Sequence, residues 1–163
     1  MPGCEKEKER IEIRYARKSE DTEQMAVISW AHWNIQAYPE LKWLHHCPNG
    51  GSRNRLEAAK LKQMGVKAGV SDLCLPYPKG KYHGLYIEMK FGNNRVQDTQ
   101  WEFIADMAAA GHYACVCYSA ADAIGVLAEY CHLGEVREEM KAPNMSVLKD
   151  GKIKELKESK KRA

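Results

Sequence analysis

Three ionisable residues near the middle of the chain have the types and the spacing to act on a phosphate ester. The stretch GLYIEMKFG, residues 84–92, alternates as a strand does, which puts Glu88 and Lys90 on one face of an otherwise apolar strand. Asp72 is the one charge in the apolar run before it. If the faces match, two carboxylates meet on neighbouring strands with a lysine beside them.

A divalent cation would explain such a group. Two carboxylates held together repel each other, and Mg²⁺ takes carboxylate, water and phosphate oxygens as ligands. The lysine can then hold or deprotonate a water, or steady the charge that develops on a phosphate in the transition state. The structural alternative for Glu88 and Lys90 is a cross-strand ion pair on a half-exposed sheet.

Two β-rich runs must position these residues. VSDLCLPYP (70–78) and GLYIEMKF (84–91) are separated by KGKYH, which predicts an antiparallel hairpin with a basic loop. The amphipathic segment 96–111 predicts a helix that ends at Gly111. HYACVCYS (112–119) predicts a third strand, parallel to its predecessor because a helix joins them.

Helical patterns precede and follow this unit. SEDTEQMAVISWAHWNIQ (19–36) offers an N-cap serine and apolar residues at helical spacing, and LEAAKLKQMG (56–65) predicts a second helix closed by glycine. The segment 38–55 between them, with two prolines and an Asn-Gly-Gly turn, predicts an extended piece and a loop. AADAIGVLAEYCHL (120–133) predicts the last helix. The fold class is therefore α/β, a small mixed sheet flanked by helices.

Composition limits the class of protein. The 163 residues suffice for one globular domain, and 25 Lys and Arg against 22 Asp and Glu give a net charge of only +3. Six cysteines without a CxxC pair indicate reduced thiols, and no apolar run is long enough for a membrane span. We therefore expect a cytoplasmic protein of a bacterial or phage-infected cell, with no membrane partner. Residues 1–18 and 141–163 are charge-rich and predict loosely attached ends around a domain at 19–140.

The motifs together resemble the virus-type replication-repair nuclease (VRR-NUC) domain, in its stand-alone phage form, within the PD-(D/E)xK nuclease superfamily. The family's order of elements is an acidic helix start, an Asn-Gly pair, a GVxAGxPDL strand, an IExK strand and a helix opened by glutamine. This chain has SEDTEQ, PNGG, GVKAGVSDL, IEMK and VQDTQ in that order. Ser71 replaces the proline of the PD pair, a position that shapes the backbone and does no chemistry.

The resemblance implies a restriction-endonuclease-like core and a role for each matching residue. Asp72 and Glu88 become ligands of Mg²⁺ or Mn²⁺, the carbonyl oxygen of Met89 an extra ligand, and Lys90 the catalytic lysine. Gln100 matches the glutamine that contacts the attacking water or the lysine. One acid of the first helix completes the metal site, with Glu20 favoured over Glu23.

The substrate implied is DNA, and several polar residues are candidate contacts to its backbone. Guanidinium and ammonium groups and turn amides pair well with phosphate. The predicted contacts are Asn49, Arg53, Arg55, Lys79 and Lys81. The structural alternatives to DNA contact are a polar turn at 48–55 and charges in the hairpin loop that only increase solubility.

For two further sets of residues we favour a structural role over metal binding or DNA binding. His45, His46 and Cys47, with His32 upstream, could suggest zinc, but no second ligand pair at finger spacing exists. The four tryptophans are interpreted as core and interface aromatics in preference to base-stacking platforms.

The function predicted is a metal-dependent, structure-selective DNA endonuclease, resembling a homodimeric Holliday junction resolvase. A chain without a separate recognition domain must select DNA by shape, and a two-fold dimer matches the near two-fold of a four-way junction. The alternatives are a less selective flap or duplex nuclease, and a non-catalytic DNA-binding module that keeps the fold. A binding module would be indifferent to Mg²⁺ or Mn²⁺.

Overall fold

The computed structural model describes residues 18–49, 54–134 and 138–154. Its four α-helices are α1 (Glu20–Trp33), α2 (Arg55–Gln63), α3 (Asp98–Ala109) and α4 (Ala120–His132). A 3₁₀ helix covers Pro39–Trp43. The strands are β1 (His45–His46), β2 (Leu73–Leu75), β3 (Leu85–Met89), β4 (Tyr113–Cys117), β5 (Val147–Lys149) and β6 (Lys152–Lys154).

The six strands form one mixed sheet in the order β1-β2-β3-β4-β5-β6. β2 and β3 pair antiparallel, as the hairpin pattern predicts, and β3 and β4 pair parallel across helix α3. β4 and β5 are parallel, while β1 and β6 pair antiparallel with their neighbours at the two edges. The α/β class and the mixed sheet predicted from sequence are confirmed.

Helices cover both faces of the sheet. One core contains Leu85, Ile87 and Met89 of β3 together with Val27 of α1 and Leu127 of α4. The other core is smaller and lies beneath α3. It is built from Ile104, Ala114 and Val116, with Tyr86 and Trp101 packed against it. Alternate residues of β3 therefore face different helices, as the period of two requires.

The helix boundaries follow local signals. Ser19 caps α1 in a reciprocal pair with Thr22, whose amide donates to the Ser19 hydroxyl at 3.2 Å. Gly65 follows α2 with a φ of +100°, a conformation that favours glycine. Helix α3 ends just before Gly111, which has a φ of +91°. These ends agree with the prediction.

The prediction of a loosely attached end after Lys141 is wrong for residues 141–154. Ala142 and Ser146 are buried, and β5 extends the sheet beside β4. Asp150 and Gly151, with φ of 54° and 68°, form the turn between β5 and β6. An Asp-Gly pair with two positive φ angles is a strong hairpin signal, but the surrounding lysines obscured it. Residues 1–17 and 155–163 lie outside the described residues.

Candidate active site

Asp72 and Glu88 come together where β2 and β3 pair. Leu73 lies opposite Ile87, so the same register continues from Asp72 to Glu88. A carboxylate oxygen of Asp72 accepts a hydrogen bond from the backbone N–H of Met89 at 2.8 Å. That bond holds the Asp72 side chain against the end of β3. The predicted ligand role of the Met89 carbonyl oxygen stays a prediction.

Glu88 is the centre of the cluster. Its side chain is 1 % exposed. Its Oε1 lies 3.0 Å from the Lys90 ammonium and accepts a hydrogen bond from the Gln100 amide at 2.6 Å. Its Oε2 is buried and has no hydrogen-bond partner among the residues that the structure describes. One oxygen of this carboxylate is therefore fully used and the other is left for a further ligand.

The electrostatics of Glu88 match this geometry. Burial raises the pKa of the Glu88 carboxyl to about 8, and the nearby charge of Asp72 adds to the rise. The hydrogen bond and charge of Lys90 act in the opposite direction on this pKa, but they do not offset burial. In the protein alone, the ionised form of Glu88 is thus costly at neutral pH, and a cation beside it would favour that form.

Helix α3 brings Gln100 to Glu88. The backbone N–H of Gln97 donates to the side-chain oxygen of Gln100 at 2.9 Å, which leaves the amide nitrogen directed at Glu88. Gly69 allows the start of this helix to approach the loop before Asp72. Its φ is +89°, and a Cβ there would lie 2.5 Å from the carbonyl oxygen of Thr99.

The first helix separates its two candidate acids. Glu20 faces the cavity beside Asp72 and Glu88, and its carboxylate lies 3.4 Å from the Asn94 amide. Glu23 accepts a hydrogen bond from the backbone N–H of Ala120 at 2.6 Å, at the start of α4. Glu23 thus has a partner elsewhere in the fold, and of these two acids it is Glu20 that lines the cavity.

A cavity of about 560 Å³ opens over this cluster. Residues that the sequence had singled out for the site line it, together with others that it had not. The predicted ones are Glu20, Asn49, Asp72, Glu88, Lys90 and Gln100; the additional ones are Asp21, Gln24, His46, Ala68, Gly69, Gln97 and Thr99.

Two of the additional cavity residues, Gln24 and His46, differ in whether the sequence could have identified them. Gln24 lies one turn after Glu20 on the same face of α1, so its helical spacing could have identified it. His46 reaches the cavity because β1 pairs with β2, and its Nδ1 lies 2.8 Å from the Asp72 carbonyl oxygen. That pairing is long-range, and no local pattern announces it.

Three of the other predicted DNA contacts, Arg55, Lys79 and Lys81, are described by the structure and do not line the cavity. Arg55 is exposed at the start of α2. Lys79 pairs with the buried Glu40 at 2.8 Å, and Lys81 pairs with Glu139 at 2.7 Å. These two ion pairs give both lysines a structural partner. Arg53 lies outside the described residues.

The structure also bears on the zinc alternative and on the interpretation of the tryptophans. Among the described residues, no group of three or more His, Cys, Asp or Glu side chains is arranged to hold a metal ion, and His45 and His46 instead contact backbone carbonyl oxygens. Trp30 packs against the larger core, but Trp33 is 81 % exposed and Trp43 is 57 % exposed. Trp33 and Trp43 therefore do not belong to the core, and their interpretation as interface aromatics stays a prediction.

Comparison with known proteins agrees with this geometry. The family model of the VRR-NUC domain matches residues 5–121, which is most of the chain. The chain belongs to the VRR-NUC family. A solved structure described as a VRR_NUC domain protein is 36 % identical, with a TM-score of 0.62, and the match covers 74 % of this chain and 93 % of the other. A comparison with curated proteins finds no match.

The VRR-NUC assignment implies a nuclease of the PD-(D/E)xK type, with DNA as its substrate. Such nucleases generally use divalent metals, and the residues here fit one. Asp72 and Glu88 offer hard oxygen donors, and the partnerless Oε2 of Glu88 is a buried oxygen that a cation would satisfy. Two carboxylates suffice for Mg²⁺, which usually completes its shell with water and substrate phosphate.

None of the helices in the described residues combines the length and the apolar composition that a membrane crossing requires.

Proposed function

We propose that this VRR-NUC protein is a metal-dependent, structure-selective DNA endonuclease that hydrolyses phosphodiester bonds of branched DNA as a homodimer. The observation that carries the catalytic part is the state of Glu88. A buried carboxylate with one oxygen unpartnered, a pKa of about 8 and a second carboxylate nearby supports a cation site. A purely structural ion pair with Lys90 would not require Asp72 beside it.

Asp72 and Glu88, with the carbonyl oxygen of Met89, are the proposed direct ligands of the cation. Glu20 faces the same cavity but forms no three-acid group with them in this structure, so its proposed contact is to a water of the cation's shell. When bound, the cation supplies Lewis-acid stabilisation of the phosphate oxygens. Asp72 is held in place for this role by the Met89 amide, 2.8 Å away. Holding Asp72 through a backbone amide fixes its carboxylate before any ligand arrives.

Lys90 and Gln100 have separate tasks in the proposal. The Lys90 ammonium lies at the edge of the cavity, 3.0 Å from Glu88, where it would stabilise negative charge on the phosphate as the bond to the leaving oxygen breaks. Gln100 holds Glu88 through its amide, at 2.6 Å, and so orients the carboxylate. Loss of either group should lower the rate more than the affinity for DNA.

The proposal of a dimer acting on four-way junctions rests on symmetry and on one exposed surface. Resolving a junction needs two opposed cuts, and a second copy related by a two-fold axis would supply the second site. Helix α1 exposes Met25, Ile28 and Trp33, with exposed fractions of 52 %, 36 % and 81 %. Met25 and Ile28 lie one turn apart and form an exposed apolar face, and Trp33 lies further round the helix. Exposed apolar side chains of this kind support contact with a second copy.

Cleavage assays on defined substrates test the proposal. Labelled four-way junction, flap, single-stranded and duplex DNA should be incubated with the protein in Mg²⁺, in Mn²⁺ and in EDTA. We expect cleavage only with a metal, strongest on the junction, with symmetric nicked duplexes carrying 5′-phosphates as products. Equal cutting of flaps and junctions by a protein that is monomeric in light scattering would leave only a general nuclease.

A further inference from the structure

We propose that the C-terminal hairpin of β5 and β6 binds the DNA duplex beside the cleavage site through Lys149, Lys152 and Lys154. The inference rests on the proposed nuclease function and concerns how far along the DNA the protein makes contact. The hairpin lies after residues 5–121, the part that matches the family model. The proposed surface therefore lies outside the segment that the family model matches.

Sheet register places Lys154 on the catalytic face. Glu88 pairs with Val116 across β3 and β4, and Val116 pairs with Val147 across β4 and β5. Val147 in turn pairs with Lys154. Directly paired residues project from the same face of a sheet, so Lys154 shares a face with Glu88.

The other two lysines lie on the same face and nearer the catalytic end. Lys149 follows Val147 by two residues and pairs with Lys152, so both keep the face of Val147. Strands β3, β4 and β5 are parallel, so their carboxyl ends lie at the same end of the sheet. The Lys149 ammonium donates to the carbonyl oxygen of Gly92 at 2.8 Å, in the loop that follows Lys90.

The dimensions of the sheet suit a duplex that extends from the cleavage site. Neighbouring strands lie about 4.8 Å apart, so β5 and β6 are about 10 and 14 Å from β3. Phosphates of one DNA strand advance about 3.4 Å each along the axis, so the lysines would meet phosphates about three or four nucleotides from the reacting one. Lys152 and Lys154 are exposed, and Lys149 lies over the Tyr118 ring, 4.8 Å from its centre.

A structural role for these lysines makes a different prediction. β6 is the edge strand of the sheet, and lysines on an edge strand discourage pairing with another chain. Protection of the edge would leave DNA binding and its dependence on salt unchanged. Contact with phosphates would release counterions and make binding depend more steeply on salt.

The experiment compares the salt dependence of duplex binding, by fluorescence anisotropy in EDTA, for the wild type and K152A/K154A. K42A/K141A is the matched control. It removes two exposed lysines on the side of the sheet that carries the larger core. Lys42 follows Leu41 of that core, and the backbone N–H of Lys141 donates to Glu129 of α4. Each lost phosphate contact lowers the slope of log K against log salt by about 0.9.

We expect the K152A/K154A slope to be smaller by about 1.8, so that raising salt fourfold costs it about tenfold less affinity than it costs the wild type. K152R/K154R should restore the wild-type slope. A K152A/K154A slope equal to that of the wild type, or an equal fall in the control, overturns the inference. Cleavage by the wild type in Mg²⁺, measured on the same preparation, keeps the two questions apart. An unchanged slope with active wild type refutes this surface alone, whereas no cleavage with any metal refutes the proposed function.

Discussion

Replacing Glu88 by Gln should remove a pH dependence from the folding stability of the metal-free protein. The pKa of Glu88 rises from 4.5 to about 8 on folding, because the carboxyl is buried beside Asp72. A raised pKa in the folded state means that the folded protein holds this proton more tightly. The stability from this group is fully present below about pH 4.5 and is lost as pH rises through about 8.

The expected size follows from the shift. One proton bound more tightly in the folded state changes the free energy of unfolding by about 1.4 kcal/mol per pH unit inside that window. The wild type should therefore lose roughly 3 kcal/mol between pH 5 and 7, as an order of magnitude. Gln keeps the size of Glu and can still accept hydrogen bonds from Lys90 and Gln100, but it cannot titrate. Lys90 loses its counter-charge in the variant. This loss shifts the free energy of unfolding by a similar amount at every pH, so it does not create the pH dependence expected for the wild type.

Urea unfolding in EDTA, at half-unit steps from pH 5 to 8, measures the difference. Glu102→Gln is the control, because Glu102 is exposed on α3 and outside the cluster. We expect the gap between the wild type and Glu88→Gln to change by about 1 kcal/mol per pH unit, while Glu102→Gln follows the wild type. Parallel profiles for the wild type and Glu88→Gln would refute the burial argument. Mg²⁺ should stabilise the wild type above pH 7 and leave Glu88→Gln nearly unchanged.

Three further substitutions test the roles in the cluster. Asp72→Ala should abolish cleavage while DNA binding persists in a mobility-shift assay, since it removes a negative charge that faces phosphate; wild-type rates at saturating metal would contradict the ligand role. Lys90→Ala should keep metal binding in calorimetry but slow single-turnover cleavage by roughly 10²-fold or more, and an unchanged rate would make Lys90 a structural partner of Glu88. Glu20→Gln should weaken metal binding without lowering the melting temperature, whereas Glu23→Gln should lower the melting temperature by a few degrees, because it weakens the bond to the Ala120 amide. The reverse pattern would assign the metal to Glu23.

Much of the fold could be predicted because its signals are local. The hairpin of β2 and β3 is announced by alternation and turn residues, and Asp72, Glu88 and Lys90 lie within or beside it. Helix ends at Ser19, Gly65 and Gly111 follow capping rules. Short-range patterns therefore sufficed for the strand pair that carries the proposed site and for the helices around it.

The remaining features could not be predicted because they depend on long-range pairing or because lysines obscure their alternating pattern. β1 has only two residues, and its position beside β2, which brings His46 to the cavity, has no period to detect. In β5 and β6 the sequence VLKDGKIK does alternate, but its lysines suggested a solvated tail. The choice between Glu20 and Glu23 also required the structure, because only the position of α4 shows what Glu23 contacts.

Gly69 gives the active site an unusual kind of vulnerability. The loop before Asp72 and the first turn of α3 touch where Gly69 meets Thr99, with no space for even a methyl group. A side chain at this position would force the helix start outward, and Gln100 would move away from Glu88 although neither residue had been altered. The distance between Gln100 and Glu88 thus depends on the absence of a side chain at residue 69, so that a variant at this position could be inactive although it retains every residue proposed to be catalytic. A survey of inactive variants that considers only charged and polar positions would overlook it.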